Sequence, residues 1–144
     1  NNITQLTERL KRKILKSEII PAYIEDYTRI FCFYSSKWNG SVASIYPDKH
    51  KLVFGSLIML DEKELRKLDR FEINYTRKMI RVNDNYFNKL NAHVYICNDT
   101  KFVKEPSVEY LENIKKNIYD SWKIKTKNVP IYIKTKRGIE LYKK

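Results

Sequence analysis

The stretch DEKELRKLDRFEINYTRKMIRV, residues 61–82, changes period halfway along, and that change sets the class of the fold. In its first half Leu65, Leu68 and Phe71 fall on one stripe at the helical period, while Lys63, Arg66, Lys67 and Arg70 take the other side. Asp61 stands where an N-cap belongs and Glu64 follows three residues on, the outline of a capping box. A helix is therefore expected over 61–71. In the second half YTRKMIRV alternates with a period of two and predicts a strand over 75–82. Glu72 lies at the join. Seven residues from Leu65, it falls angularly between Leu65 and Leu68, so periodicity places a carboxylate where it places core. Glu72 is either a helix-end residue turned outward into an ion pair with Arg70 or Arg77, or a carboxylate held in an apolar setting for its chemistry.

Outward from this join the pattern stays mixed. Towards the N-terminus, Leu6, Leu10 and Ile14 recur at intervals of four and predict a helix over 4–16, and Pro21 ends any helix before it. RIFCFY (29–34) reads as a strand, SSKWNGS (35–41) as a turn cluster and VASIY (42–46) as a strand. YPDKHK is expected to turn the chain into a further strand, KLVFGSLIML (51–60), in which Gly55 suggests a bulge or bend. Towards the C-terminus, NDN is a turn and LNAHVYIC (90–97) a strand. Ser107 can cap a helix through residue 122 that carries Val108, Leu111, Ile114 and Ile118. The last sixteen residues alternate weakly, as an extended segment or a late hairpin. Strands with helices inserted, but no regular βαβ alternation, predict an α+β fold with a mostly antiparallel, barrel-like sheet and flanking helices. The 144 residues suit a single domain.

The formal charge of +12 invites a nucleic-acid reading, which its distribution disfavours. Residues 1–16 carry five basic residues and one acidic, residues 17–100 carry 12 and 11, and residues 101–144 carry 12 and five. The basic excess sits at the two ends. A solvated periphery accounts for it, as does the bias toward Lys, Asn, Ile and Tyr that an AT-rich coding sequence produces. No run of 18 apolar residues predicts a membrane-spanning helix. Cys32 and Cys97 both lie in apolar strand-like runs, which favours two buried free thiols in a reducing, cytoplasmic setting, with one disulfide as the alternative.

Several chemistries have no carrier here. The two histidines, His50 and His93, are far apart and have no ligand-type neighbour at metal-binding spacing, so no metal is expected. Three glycines in all cannot build a Gly-rich phosphate cradle. If the chain is an enzyme, its base is a carboxylate, and Glu72 is the one in an anomalous position.

Taken in order, a W-x-G-x-x-A-x-I strand (Trp38, Gly40, Ala43, Ile45), the V-x-G of Val53 to Gly55, a helix ending in L-D-x-x-E (Leu68 to Glu72), Y-x-R (Tyr75, Arg77), a V-Y strand (Val94, Tyr95) and P-S-x-E-Y-L-x-x-I (Pro106 to Ile114) resemble the gamma-glutamylcyclotransferase-like family. The resemblance covers about residues 29 to 118. It implies a compact barrel with flanking helices and cleavage of gamma-glutamyl compounds to 5-oxoproline and a free amine, with no metal or cofactor. It assigns the acid/base role to Glu72 and places the hydroxyls of Tyr75, Tyr95 and Tyr110 near the substrate, with Gly40 in a wall that is equally a β-turn. The family opens with a strand ending in Tyr-Gly-Ser-Asn whose amides hold the glutamyl group. The resemblance makes Asn1 or Asn2 the last residue of that loop; either the strand lies upstream of Asn1, which the otherwise intact pattern favours, or this member lacks half of its site. The partner implied is a small gamma-glutamyl compound, bound by a cytoplasmic monomer or homodimer. The alternatives are a non-catalytic relative that binds a small anionic ligand or a protein, and a basic nucleic-acid-binding protein.

Overall fold

The computed structural model describes residues 3–143; Asn1 and Asn2, the two residues assigned above to the substrate loop, lie outside them. The chain runs α1 (Ile3–Leu10), β1 (Ile19–Ser35), β2 (Gly40–Ile58), α2 (Glu62–Asp69), β3 (Tyr75–Asp84), β4 (Lys89–Cys97), α3 (Val108–Trp122), β5 (Tyr132–Thr135) and β6 (Gly138–Leu141). The first four strands form one antiparallel sheet in the order β2-β1-β3-β4, and β5 and β6 form a separate hairpin. The fold is α+β, with an antiparallel sheet and three helices.

The expected barrel does not close among the described residues, and the pairing shows why. β1 and β3 share two paired positions, Ala22 with Asp84 and Tyr23 with Asn83, and then part. At the outer edges, β2 and β4 meet through a side chain and not through a ladder: the Cys97 N–H donates to Ser44 Oγ at 2.9 Å. The edge groups of β2 find other partners. The Ser41 N–H donates to Glu105 O, the Ala43 N–H to Tyr110 Oη at 2.8 Å, and Ala43 O accepts from Tyr75 Oη at 2.9 Å. Buried backbone groups need such partners whether or not a strand supplies them.

The N-terminal half holds most of the departures from the sequence reading. β1 begins ten residues before the expected strand, at Ile19, through a segment that contains Pro21, Glu25 and Asp26. Pro21 is accommodated because β3 pairs at 22 and 23 but not at 21. YPDKHK does not reverse the chain. β2 runs through it, and pairing with β1 passes from Glu25–Leu52 to Tyr27–Pro47 across a bulge. Asp26 and His50 take positive φ (63° and 66°), the His50 N–H donates to Asp26 Oδ1 at 2.9 Å, and Thr28 Oγ1 donates to Asp48 Oδ2. Turn-type residues here bend a ribbon. Gly55, expected at a bulge, pairs in register with Ala22. Helix α1 stops at Leu10, short of residue 16, where Lys11 turns to φ 54°. Ile14 is buried all the same, in a cluster with Leu10 and Leu68 that docks α1 on α2.

The other elements follow their patterns. Asp61 caps α2, accepting from the Glu64 N–H at 2.8 Å, while Glu64 Oε1 accepts from the Asp61 N–H. Ser107 caps α3, and Lys123 at φ 57° ends it. The late hairpin is present, turning into Gly138 at φ 120°.

Candidate active site

A cavity of about 580 Å³ opens between the diverging β1 and β3. All four strands of the sheet line it, as do α1, α3 and the segment after α2. Its floor is largely apolar, with Ala22, Ile24, Ile45, Val53, Leu57, Val82 and Val94. Polar groups enter at a few points, which is the usual make-up of a small-molecule site.

Glu72 is one of them. Helix α2 ends at Asp69, so Glu72 is not on the helical stripe that periodicity predicted. It sits in the following turn, where its N–H donates back to Leu68 O and its carbonyl accepts from the Tyr75 N–H at 3.1 Å. That turn aims the carboxylate into the cavity. Its apolar surroundings come from the cavity wall, buried Leu68 included, more than from its chain neighbours, of which Ile73 is 81% exposed and Phe71 48%. Loss of water comes from the cavity, and burial pushes the Glu72 pKa above the ordinary carboxylate range against the opposing effect of Arg9. Arg9 Nη1 lies 3.0 Å from Glu72 Oε1, and this is the ion pair of the site, not Arg70 or Arg77. Arg77 pairs with Asp69 instead. The Arg9 guanidinium also stacks over the Phe71 ring, 5.1 Å from its centroid.

Tyr75 and Tyr110 both line the cavity and share Ala43. The Tyr75 hydroxyl donates to Ala43 O, which leaves its lone pairs free to accept. The Tyr110 hydroxyl accepts from the Ala43 N–H, which leaves its proton free to donate. Burial raises both pKa values, that of Tyr110 to about 12, so both hydroxyls stay protonated near neutral pH. Trp38 lines the cavity and packs edge-on against Tyr110 at 5.1 Å. Tyr95 contributes to the wall, but its hydroxyl donates to Asp69 Oδ1 at 2.7 Å and so serves α2. Gly40 does not line the cavity. A Cβ there would stand 2.5 Å from Glu105 O and 2.8 Å from the Ser107 nitrogen, so the glycine lets the 105–107 segment cross β2 closely.

Cys32 and Cys97 are free and buried behind this wall, packed with Val42, Phe33, Trp38, Tyr75 and Tyr110. Sequence reasoning missed Arg9, Arg29, Asn113 and Asn117, which line the cavity from α1, β1 and α3. Arg9 and Arg29 belong to no motif; Asn113 and Asn117 stand four apart on α3 and so share a face, a spacing that polar residues on a solvated face show equally. No cluster of metal-ligating side chains occurs among the described residues, and no helix of theirs is long and apolar enough to cross a membrane.

A family model described as "Gamma-glutamyl cyclotransferase, AIG2-like" matches residues 5–122. No curated protein matches the sequence. Among solved structures, one titled "Gamma-glutamyl cyclotransferase" superposes with a TM-score of 0.69 at 18% identity, over 85% of this chain and 78% of that one. An uncharacterized protein from Homo sapiens gives 0.66 at 17% identity over the same shares. A solution structure from Arabidopsis thaliana gives 0.56 at 21% identity, over 82% and 78%. At these identities the structures establish a shared fold.

Proposed function

The chain belongs to the gamma-glutamyl cyclotransferase, AIG2-like family, and we propose on that premise that it converts gamma-glutamyl compounds into 5-oxoproline and a free amine or amino acid. The observation that carries this reading is the placement of Glu72, a partly desolvated carboxylate aimed into a largely apolar cavity. The reaction needs a group of that kind. The substrate's α-amine is protonated near neutral pH and must lose a proton before it attacks the γ-carbonyl. Glu72 takes that proton. The new C–N bond closes a five-membered ring and moves an electron pair onto the carbonyl oxygen. Glu72 returns that proton to the leaving nitrogen, the oxyanion's electron pair re-forms the carbonyl as the old C–N bond breaks, and the again-ionised Glu72 takes the second proton that the ring nitrogen must lose. A carboxyl group whose pKa is raised toward the operating pH serves both steps, and holding amine and carbonyl in one cavity contributes much of the acceleration.

Tyr110 has a proton available to donate and stays neutral, so it is suited to stabilise the developing oxyanion. Tyr75, whose proton is committed to Ala43 O, is suited to accept from the substrate's amine. One observation favours the second reading, a non-catalytic relative that binds a small anion: Arg9 holds Glu72 in an ion pair at 3.0 Å, which opposes protonation of the carboxylate. Release of 5-oxoproline from a panel of gamma-glutamyl amino acids, peptides and amines, assayed with the natural full-length chain, separates the two. Turnover supports the cyclotransferase; binding of these compounds without turnover supports the relative.

A further inference from the structure

Arg29 stands apart from every other arginine among the described residues. Arg9, Arg12, Arg77 and Arg137 each pair with a carboxylate. Arg66, Arg70 and Arg81 are exposed to water. Arg29 has neither. Its side chain is half-buried on the wall of the cavity, and no carboxylate among the described residues lies within ion-pair distance. Its hydrogen bond from Nη2 to Phe54 O is long, at 3.5 Å. Burial lowers its pKa, and the ionisable group that counters this is the Tyr110 phenol. A guanidinium offers five N–H donors in a planar fork shaped for a carboxylate. A cation withdrawn from water without a counter-ion is costly to keep, and a ligand that brings the counter-ion removes that cost. Asn113 and Asn117 on α3 line the same cavity and add polar groups from a second element.

The cations already at the Glu72 end decide which carboxylate this is. Arg9 pairs with Glu72 there, and the Gln5 amide, with its oxygen assigned to the end that faces donors, accepts from Lys37 Nζ at 3.1 Å and Arg9 Nη2 at 3.2 Å. A gamma-glutamyl compound whose amine reaches Glu72 has its α-carboxylate two bonds from that amine, beside Arg9 and Lys37. Arg29 reaches β2 at Phe54 O, whereas the Glu72 turn reaches the same strand at Ala43 through the Tyr75 hydroxyl. Arg29 thus acts from a different part of the wall than the proton-transfer point. We propose that Arg29 binds a second carboxylate, carried by the leaving amine, so that the site takes gamma-glutamyl amino acids and peptides in preference to simple gamma-glutamylamines. This choice of ligand rests on the cyclotransferase reading.

The test uses the full-length chain carrying Glu72→Gln, so that ligands bind without turnover. Calorimetric titration compares gamma-glutamylglycine with gamma-glutamylmethylamide, which lacks the second carboxylate, with Arg29 present and as Arg29→Met. Loss of a charge-assisted fork should weaken gamma-glutamylglycine by roughly 10- to 100-fold and the methylamide by less than about threefold. Arg29→Lys, which keeps the charge and loses the fork, should fall between. Without ligand, Arg29→Met should melt no lower than its parent. Equal weakening of both ligands, or no weakening of either, overturns the assignment. If Arg29→Met fails to fold, Arg29→Lys decides by the same ratio of ligands. Titration with glutarate separates the two layers of the argument. Arg29-dependent glutarate binding in a protein that turns over no gamma-glutamyl compound keeps the anion site and removes the cyclotransferase. Turnover with no dependence on Arg29 does the reverse.

Discussion

Replacing Arg9 should move the pH dependence of the reaction by an amount the site geometry allows one to work out. Arg9 Nη1 is 3.0 Å from Glu72 Oε1, and the two side chains are 19% and 21% exposed. Two unit charges 4 Å apart interact by about 4 kcal/mol at an effective dielectric constant near 20. Partial exposure and side-chain entropy reduce the net value, so ~1–2 kcal/mol is the appropriate scale between a surface pair and a buried one. At 1.36 kcal/mol per pKa unit this is about one unit. Two effects oppose each other at Glu72: burial raises its pKa, and Arg9 lowers it. In Arg9→Met burial acts alone, so the pKa rises further. Because the free enzyme must hold Glu72 ionised to accept the proton, the acid limb of kcat/KM should shift to higher pH by about one unit. Activity should fall near-tenfold well below that limb and recover at alkaline pH. The stability sign is linked. A carboxylate whose folded pKa lies above its unfolded value makes the fold bind the extra proton between the two values, so stability falls as pH rises through that window. Arg9→Met should extend the window upward. The assay is initial-rate kinetics across pH, with melting curves in the same buffers. An acid limb that stays put or moves to lower pH would refute the coupling and leave Arg9 as a docking residue that holds α1 over Phe71.

Two further outcomes bear on the wall around the site. Gly40→Ala should destabilise the fold by several kcal/mol, because its Cβ would stand 2.5 Å from a carbonyl oxygen of the backbone, not of a movable side chain; denaturant titration measures it, and a loss below about 0.5 kcal/mol, the scale of a neutral surface change, would show that the 105–107 segment shifts freely. Cys32 and Cys97 are 0% and 6% exposed, so both thiols should label slowly in the native protein and promptly on unfolding; prompt native labelling would contradict their burial.

What the sequence made legible follows from how local each signal was. Residues 61–71 carry their own cap and stripe, and α2 forms with the capping box that Asp61 and Glu64 announce. Ser107 does the same for α3. The ribbon of β1 and β2 is held by partners tens of residues apart, so its local composition misled: Pro21, Asp26 and Pro47-Asp48 look like chain breakers, yet long-range pairing carries the strands through them and spends the turn residues on a bulge. The barrel expectation failed for a related reason, since closure depends on edge-to-edge pairing that no local pattern encodes. At the site, periodicity singled out Glu72, although on the assumption that the helix ran to it. The helix ends three residues earlier, and a turn delivers the same carboxylate to the cavity. Arg9 and Arg29 left no mark in the sequence, because a lone arginine on an amphipathic helix or strand reads as a solvated one until the cavity is seen.

The most direct test of the central claim is release of 5-oxoproline by the full-length wild-type chain and by Glu72→Gln, measured side by side with their melting curves. Gln keeps the size and hydrogen-bonding capacity of the side chain but cannot exchange a proton. The account predicts turnover by the wild type, a loss in the variant of at least ~10²- to 10⁴-fold, and a variant that melts no lower than the wild type at neutral pH, because the ionised form of Glu72 is the one that burial disfavours. Near wild-type turnover in a folded Glu72→Gln protein would contradict it, and so would a wild-type chain that binds gamma-glutamyl compounds and releases no 5-oxoproline from any of them.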